Sequence, residues 1–330
     1  MSIIGLDIGG TKCAVTRATD AGVIERTIRF PTTDALATQA RLWETVTELA
    51  PGPAPVFGIS CGGPLDSTAG LILSPPNLPG WDRVPVCAEL ERRFGGRAFL
   101  MNDANAGALA EWQFGAGRGV RNLVFLTYGT GMGAGVICDG RLFEGANGNA
   151  GEIGHVRLSA EGPVGYNKAG SFEGWCSGGG IGRLAQAEAR RHGGRVAFNP
   201  GRIEEISARH VVQAAEAGDA LAADLLAESG RRLGQALAIV IDVLNPEVIV
   251  LGSVYSRARR WLEPHMRPVL EAEALPGSLA VCKVVPTALG PDIGTWAAIA
   301  IAVYQAGGFA REVRGAVDSA LAPLAVEAET

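Results

Sequence analysis

The sequence contains no long uninterrupted apolar run, although 47% of its 330 residues are hydrophobic. Nothing approaches the roughly 18 consecutive apolar residues of a membrane-spanning helix. Asp7 interrupts the N-terminal stretch at the place where a signal peptide requires an apolar core. We therefore expect a soluble cytoplasmic protein that has no membrane partner.

Closely spaced cysteine pairs and excess positive charge are also missing. The six cysteines are scattered, which excludes a zinc knuckle or a CxxC redox motif and predicts reduced thiols. The 29 Lys and Arg residues are outnumbered by 34 Asp and Glu residues, giving a net charge of −5. Because the chain has no overall positive field, we expect no nucleic-acid partner.

Glycine, in contrast, is abundant, with 46 residues, about twice its usual share. The length allows two domains, and alternating strand and helix patterns predict an α/β fold throughout. Residues 2–28 and 122–145 share one strand–glycine–strand pattern, which indicates a duplicated unit. We predict a small N-terminal α/β lobe at 1–117 and a large one at 118–305, with a C-terminal helix at about 306–330 returning to the first.

Two glycine-rich loops occupy equivalent positions in the duplicated segments. DIGGTK (residues 7–12) follows the first strand, and GTGMGAG (residues 129–135) lies in the second hairpin. Glycine lets backbone N–H groups approach an anion closely, and a neighbouring carboxylate suits Mg²⁺. Each loop alone is equally consistent with an ordinary hairpin turn, whereas the pair favours a clamp for phosphate groups.

Asn102 and Asp103 lie where the predicted strand RAFLMND meets a helix. In one interpretation they form an N-cap, whose side chain accepts hydrogen bonds from the first helical N–H groups. In the other, Asp103 faces the ligand crevice at the carboxyl end of a strand and accepts a proton from a substrate hydroxyl. The two interpretations are compatible, and both stay open at this point.

Glu152, His155 and Glu173 belong to the glycine-rich segment 151–180. A metal site would need more soft ligands than Cys176, the one cysteine that this segment supplies. The carboxylates and the imidazole offer both donors and acceptors for sugar hydroxyl groups. Solvated loop side chains explain the pattern equally well.

Six motifs follow one another in a distinctive order over residues 3–305: LDIGGTK, GGPLD with PNLPGW, NDANAGALAEW, YGTGMGAGVICDGRLFEGANGNAGEIGH, SFEG and LNPEVIVLGS. This order resembles that of the ROK family (repressor, open reading frame, kinase). The family is similar to actin and hexokinase, with ribonuclease H-like α/β cores duplicated in two lobes around a cleft. The resemblance implies an ATP-dependent hexose kinase, most simply one that phosphorylates the 6-hydroxyl of glucose.

The resemblance also implies roles for individual residues, with Asp103 as the catalytic base. The implied sugar-binding residues are Gly63, Asn77, Asn102, Asp103, Glu152, His155 and Glu173. The implied ATP-binding residues are Gly9, Gly10, Thr11, Lys12, Thr130, Gly131, Gly133 and Gly252. Asp7 would contact Mg²⁺ through water, so ATP and Mg²⁺ are the expected cofactors. Family members are usually dimers or tetramers, and we expect a homodimer or homotetramer here.

The chain departs from the family pattern in two places. Many members bind a structural zinc with the histidine and three cysteines, whose positions hold Val164, Tyr166 and Ser171 here. We therefore expect no structural zinc, and we expect Tyr166 and Phe172 to pack inward instead. Ser253 replaces the second glycine of the adenosine motif.

Alternative functions remain within and outside the kinases. The same motifs fit an N-acetylmannosamine, N-acetylglucosamine or fructose kinase. A repressor would require a helix-turn-helix segment before the first strand, which starts at Ile3. A sugar-binding regulatory protein without catalysis would tolerate a degenerate site, whereas every implied polar position is filled.

Overall fold

The structure, a computed structural model, describes residues 2–50, 52 and 55–307. Its strands are β1 (Ser2–Ile8), β2 (Lys12–Thr19), β3 (Ile24–Pro31), β4 (Val56–Cys61), β5 (Leu65–Asp66), β6 (Leu71–Ile72), β7 (Arg97–Asn102), β8 (Leu123–Leu126), β9 (Ala134–Cys138), β10 (Arg141–Leu142), β11 (Val164–Gly165), β12 (Lys168–Ala169), β13 (Val248–Leu251) and β14 (Lys283–Pro286). Its helices are α1 (Ala35–Leu49), α2 (Val86–Phe94), α3 (Asp103–Phe114), α4 (Phe172–Cys176), α5 (Gly178–Arg191), α6 (Ala208–Glu216), α7 (Ala220–Leu244), α8 (Ser253–Glu273), α9 (Pro276–Val281) and α10 (Ile293–Gln305). Short 3₁₀ turns cover Ile153–His155, Ile203–Glu205 and Gly290–Asp292.

Two compact units divide the described chain. The first contains the residues up to Asn102 and those from Thr295 onward, and the second spans Asp103–Gly294. Both boundaries differ from the predicted ones, at 117/118 and after 305. Helix α3 packs on β8 and β9 and therefore belongs to the second unit. Helix α10 lies against the sheet of the first unit: a Cβ on Gly58 of β4 would be 2.0 Å from the Ala298 carbonyl oxygen. The C-terminal helix expected at about 306–330 lies, from 308 onward, outside the described residues.

The first unit is built on one mixed sheet with the strand order β3-β2-β1-β4-β7. The first three strands form an antiparallel meander, and β4 and β7 continue the sheet parallel to β1. Ile8 pairs with Cys61, which pairs with Asn102, so these three strands end in register. The residues that follow them therefore lie at one edge of the sheet.

The second unit repeats this arrangement with the strand order β10-β9-β8-β13-β14. Its first three strands are again an antiparallel meander, and β13 and β14 are again parallel to the first. The parallel strands end together, because Leu251 pairs with both Leu126 and Pro286. The prediction of a duplicated α/β core is confirmed.

Long helices cover the second sheet and form its apolar core. Leu226, Leu233, Leu237 and Ile241 on α7 are fully buried, which confirms the predicted apolar face of this helix. Helix α7 ends at Leu244, directly before the Asn245-Pro246 pair that predicts its end, and Asn245 caps it with a left-handed backbone (φ 44°). Among the described helices, none combines the length and the apolar character needed to cross a bilayer.

Candidate active site

In the first unit, the candidate phosphate loop is the turn between β1 and β2. The Gly9 N–H donates to the Lys12 carbonyl oxygen over 3.2 Å, and the Thr32 hydroxyl donates to the Gly9 carbonyl oxygen over 2.5 Å. These bonds leave the side chains of Thr11 and Lys12 exposed, as anion donors would need to be. Asp7 is half-buried and lies one residue before the end of β1, close in sequence to this turn.

The loop that carries Asn77 packs directly on this turn. A Cβ on Gly10 would lie only 2.5 Å from the Asn77 carbonyl oxygen, so glycine is required there for backbone contact. Leu78 and Trp81 are buried and anchor this loop, while Asn77 itself is exposed. Gly63 is different, because a Cβ there would have no atom nearer than 4.0 Å. The first unit thus brings Gly10 and Asn77 together, with Asp7, Gly63 and Asn102 at the same sheet edge.

In the second unit, residues 127–133 form the glycine loop between β8 and β9. The Thr127 N–H donates to the Gly133 carbonyl oxygen over 3.0 Å, and the Gly133 N–H donates to the Thr127 hydroxyl over 3.1 Å. The first residues of α5 fix the tip, since the Gly179 N–H donates to the Thr130 carbonyl oxygen over 3.0 Å. Thr130 remains exposed, and Gly131 and Gly133 are half-buried.

Glu173 on α4 is bound to this glycine loop. Its Oε2 atom accepts a hydrogen bond from the Met132 N–H over 3.1 Å and would lie 3.0 Å from a Cβ on Gly131. Glycine at 131 therefore makes room for the carboxylate. The structure thus joins one predicted sugar ligand to the predicted phosphate loop.

Not every glycine of this region is left free for a ligand. A Cβ on Gly135 would lie 2.3 Å from the Ala104 carbonyl oxygen, so this glycine serves the packing of α3 on β9. Gly252 would place a Cβ 1.9 Å from the Thr127 carbonyl oxygen. Its own N–H donates to the Leu126 carbonyl oxygen over 2.9 Å. Gly252 is therefore explained by the close approach of β13 to β8.

Asp103 is the first residue of α3, directly after the end of β7. Its side chain is exposed to water, yet the surrounding protein removes part of its hydration, and this desolvation raises the pKa of Asp103. The N–H groups of Asp103 and Ala104 lower this pKa, and the negative charge of Glu152 raises it again. Its place at the helix start agrees with a cap and with a base, so the geometry leaves both interpretations standing.

Glu152 precedes a 3₁₀ turn that packs on the glycine loop and the start of β9, and His155 is the last residue of this turn. A Cβ on Gly151 would be 2.0 Å from the Ala134 carbonyl oxygen, and one on Gly154 would be 2.1 Å from that of Met132. The glycines allow this turn to touch the strand backbone, which places Glu152 and His155 beside residues 132–134. Glu152 is exposed and His155 is half-buried.

The segment between His155 and Glu173 is ordered by hydrogen bonds. Strands β11 and β12 pair as a hairpin, whose central residues Tyr166 and Asn167 both have left-handed backbones, at φ 44° and 63°. The Phe172 N–H donates to the Val156 carbonyl oxygen over 2.8 Å, which closes the segment. Phe172 is fully buried as predicted, but Tyr166 is 74% exposed, so its predicted inward packing is wrong. The position at the tip of a tight turn keeps its ring at the surface.

Two features of the second unit carried no recognised signal in the sequence. The fully buried carboxylate of Glu111 on α3 accepts hydrogen bonds from two chain segments. An acidic residue within the apolar stretch ANAGALAEW was the available clue. A cavity of about 360 Å³ is lined by residues of α6 and the start of α8: Ala208, Arg209, Val212, Gln213, Val254 and Arg257. These residues are distant in sequence from each predicted motif except Gly252.

Metal ligands are sparse. Across the part of the chain that the structure describes, no three His, Cys, Asp or Glu side chains are arranged to hold a metal ion. All six cysteines are unpaired, and only Cys138 is fully exposed.

Comparisons with known proteins find relatives that match nearly the whole chain. The sequence profile of the ROK family matches residues 3–304. The glucokinase of Thermotoga maritima is 34% identical over 317 residues, which are 93% of this chain and 99% of that enzyme. A ROK family glucokinase from Streptomyces griseus, solved with glucose and AMPPNP, is 29% identical with a TM-score of 0.71, covering 91% of this chain and 98% of that one. A ROK family transcriptional regulator, described as a homologue of the E. coli MLC protein, is 27% identical with a TM-score of 0.79, covering 94% and 80%.

Proposed function

The chain belongs to the ROK family, and on that premise we propose that it is an ATP-dependent hexose kinase that phosphorylates the 6-hydroxyl of glucose. One observation carries the proposal: the Glu173 carboxylate, an expected sugar ligand, accepts a hydrogen bond from the Met132 N–H within the expected phosphate loop. Sugar-binding and phosphate-binding groups are thereby held in contact, as direct transfer requires. The similarity to glucokinases supports the same activity.

Phosphoryl transfer requires mainly positioning and charge neutralisation from the protein. In the proposed mechanism, Asp103 orients the attacking hydroxyl and accepts its proton as the new bond to phosphorus forms. Asn77, Asn102 and Gly63 are further residues proposed for sugar binding. Glu152, His155 and Glu173 bind the ring hydroxyls, for which their carboxylate and imidazole groups supply acceptors and donors.

The phosphates of ATP are assigned to the two glycine loops. Supporting residues are Gly9, Gly10, Thr11 and Lys12 in the first unit, and Thr130, Gly131 and Gly133 in the second. Lys12 and Thr11 are exposed, so their donors are available to an anion. The N–H groups of Gly9 and Gly133 already donate within the loops, where they hold the turn. At Gly10 the lack of a side chain would let a phosphate oxygen approach the backbone closely.

The adenosine is assigned to the cavity between α6 and α8. Its apolar lining of Ala208, Val212 and Val254 suits a purine ring, and Arg209 and Arg257 add positive charge for a polyanionic nucleotide. Helix α8 starts directly after Gly252, which therefore acts beside the nucleotide by fixing the strand end. Ser253, which stands in place of a second glycine, is the first residue of this helix. The cavity is present despite this replacement.

The proposal includes Mg²⁺, with Asp7 as its protein contact through water. Mg²⁺ needs few protein ligands when phosphates and water complete its octahedron, so one half-buried carboxylate at a phosphate loop fits this ion. When bound, Mg²⁺ would neutralise charge on the phosphates. Asp7 would hold the hydrated ion beside the Gly9–Lys12 turn.

A homo-oligomer and a cytoplasmic location complete the proposal. Exposed apolar side chains at the end of α7 and on or beside α9 support a contact between copies: Ile239, Val243, Leu244, Leu275 and Val281. These ends are adjacent, because the Leu275 N–H donates to Oδ1 of Asp242 over 2.9 Å. Six unpaired cysteines suit a reducing compartment. A monomer in light scattering at micromolar concentration would contradict the oligomer.

A coupled assay of ADP release tests the proposed activity. Glucose, mannose, fructose, N-acetylglucosamine and N-acetylmannosamine are compared at equal concentrations with Mg²⁺-ATP. We expect glucose to give the highest kcat/KM. A higher value for an N-acetylated hexosamine would correct the substrate. A flat response to every sugar would favour a sugar-binding regulator without catalysis; a transcriptional regulator is among the similar ROK family structures.

A further inference from the structure

The residues around His155 do not fit the structural zinc of the family. Zinc sites of this kind need thiolates, and the three relevant positions hold Val164, Tyr166 and Ser171. The Ser171 hydroxyl already donates to the Gly165 carbonyl oxygen over 3.3 Å and accepts from the Gly174 N–H over 3.1 Å. None of these three side chains is a thiolate, so the residues around His155 do not form a zinc site. Other contacts must therefore hold His155 in place.

Two side chains of the β11–β12 hairpin contact His155. The Tyr166 ring meets the imidazole edge to face, with 4.9 Å between ring centroids and an interplanar angle of 66°. The Lys168 ammonium donates a hydrogen bond to the His155 carbonyl oxygen over 2.7 Å. One contact therefore fixes the orientation of the imidazole, and the other fixes the backbone that carries it.

Tyr166 occupies a conformation that a tyrosine does not favour. Its φ of 44° lies in the left-handed region, where a residue with a Cβ carries a cost that glycine avoids. Burial does not offset this cost, since the side chain is 74% exposed. The Tyr166 ring contacts His155, and a glycine at this position would lose that contact.

We propose that Tyr166 and Lys168 are positioning residues that hold His155 for sugar recognition in place of the family's structural zinc. This inference rests on the proposed function, in which His155 binds a ring hydroxyl. Neither residue touches the reacting atoms; both act through His155. Loss of either should weaken sugar binding and leave the chemical step nearly intact.

The hairpin has other anchors, which makes the inference testable without unfolding the segment. The Arg157 guanidinium donates to the Ala169 carbonyl oxygen over 2.7 Å, and the Gly170 N–H donates to the Pro163 carbonyl oxygen over 3.0 Å. Neither bond involves the Tyr166 side chain. Substitution of Tyr166 by glycine therefore removes the ring and relieves the left-handed strain, so the hairpin should persist.

The test compares Tyr166→Gly, Tyr166→Phe and Lys168→Met with the wild-type protein and with the exposed control Lys283→Met. An aromatic contact of this kind corresponds to about a 2- to 12-fold change in an equilibrium constant. We expect Tyr166→Gly to raise KM for glucose by about this factor. The values of kcat and of KM for ATP should stay unchanged, and Tm should be unchanged or higher. Tyr166→Phe should restore the wild-type KM, because it keeps the ring. Lys168→Met should raise KM for glucose, and Lys283→Met should not.

Two further measurements separate this inference from the proposed function. Proton–carbon NMR of the four histidines should show the His155 imidazole signals, assigned with His155→Gln, shifted in Tyr166→Gly and retained in Tyr166→Phe. This readout needs no catalysis. Metal analysis of the purified protein should find no stoichiometric zinc, and a chelator should leave Tm unchanged. The inference would be overturned if Tyr166→Gly left both the His155 signals and KM for glucose unchanged, or if the protein held one zinc per chain. A wild-type protein that is inactive on every sugar would overturn the proposed function alone.

Discussion

Substitution of Glu111 should destabilise the second unit strongly, because its buried carboxylate joins α3 to two other segments. One oxygen accepts from the Ala116 N–H over 2.8 Å and the Ala288 N–H over 3.3 Å. The other accepts from the Leu289 N–H over 3.2 Å and from the Thr287 hydroxyl. The carboxylate thus satisfies four donors at a fully buried position.

Glu111→Ala leaves these four donors without their acceptor. Each buried unsatisfied donor costs about 1–3 kcal/mol, although water entering the vacated space offsets part of the sum. We therefore expect a loss of about 3–5 kcal/mol in the free energy of unfolding. Glu111→Gln keeps one carbonyl oxygen for Ala116 and Ala288, and its amide can donate to the Thr287 hydroxyl. Only the Leu289 N–H then loses its partner, so a loss of about 1–3 kcal/mol is expected.

Urea unfolding followed by circular dichroism measures both losses. The matched control is Glu204→Ala, which removes an exposed carboxylate 3.7 Å from Arg190. This change should cost less than about 1 kcal/mol, since solvent screens such pairs. A loss below about 1 kcal/mol for Glu111→Ala, or equal losses in Glu111→Ala and Glu204→Ala, would refute the assigned role of the buried carboxylate.

Three further predictions concern the proposed site and its packing. Asp103→Asn should bind glucose but lower kcat by about 10²- to 10⁴-fold. In the wild-type protein the raised pKa of Asp103 predicts that kcat/KM, which reports the free enzyme, falls with decreasing pH already above the ordinary aspartate range. Retained turnover or an unchanged acid limb in the variant would exclude this base. Glu173→Ala should raise KM for both glucose and ATP by about 10-fold or more, because this carboxylate is a proposed sugar ligand and also binds the proposed phosphate loop. Glu152→Ala should raise KM for glucose alone. The same pattern of KM changes in both variants would contradict this prediction. Gly135→Ala should cost about 1–3 kcal/mol in urea unfolding through its clash with α3, whereas Gly277→Ala, where a Cβ meets nothing within 4 Å, should stay within about 0.5 kcal/mol.

Local patterns sufficed to predict most of the secondary structure. The spacing of Leu233, Leu237 and Ile241 defined the buried face of α7, and Asn245 marked its end. The repeated strand–glycine–strand pattern predicted two equivalent sheets, and both have the same strand order. These features depend on neighbours in the chain, which the sequence shows directly.

Features that depend on distant neighbours were not readable. The unit boundary at Asn102/Asp103 follows from the packing of α3 on β9, which no local signal at 117 could show. Glycines of one loop have different tasks: Gly131 makes room for Glu173, while Gly135 accommodates a helix backbone. The sequence pattern is the same for both. The predicted inward packing of Tyr166 is wrong because its position at the tip of the β11–β12 turn exposes the ring.

The β11–β12 hairpin has a consequence for where and when this protein can fold. On the proposal that Tyr166 and Lys168 hold His155, a segment closed by amide, hydroxyl and ammonium hydrogen bonds would need no ion from outside the chain, and its order would not depend on the zinc concentration in the cell. Ser171 and Tyr166 also offer no thiolate that an oxidant could modify. With His155 as the proposed sugar ligand, sugar recognition would therefore be insulated from metal limitation and from oxidative loss of thiolate ligands.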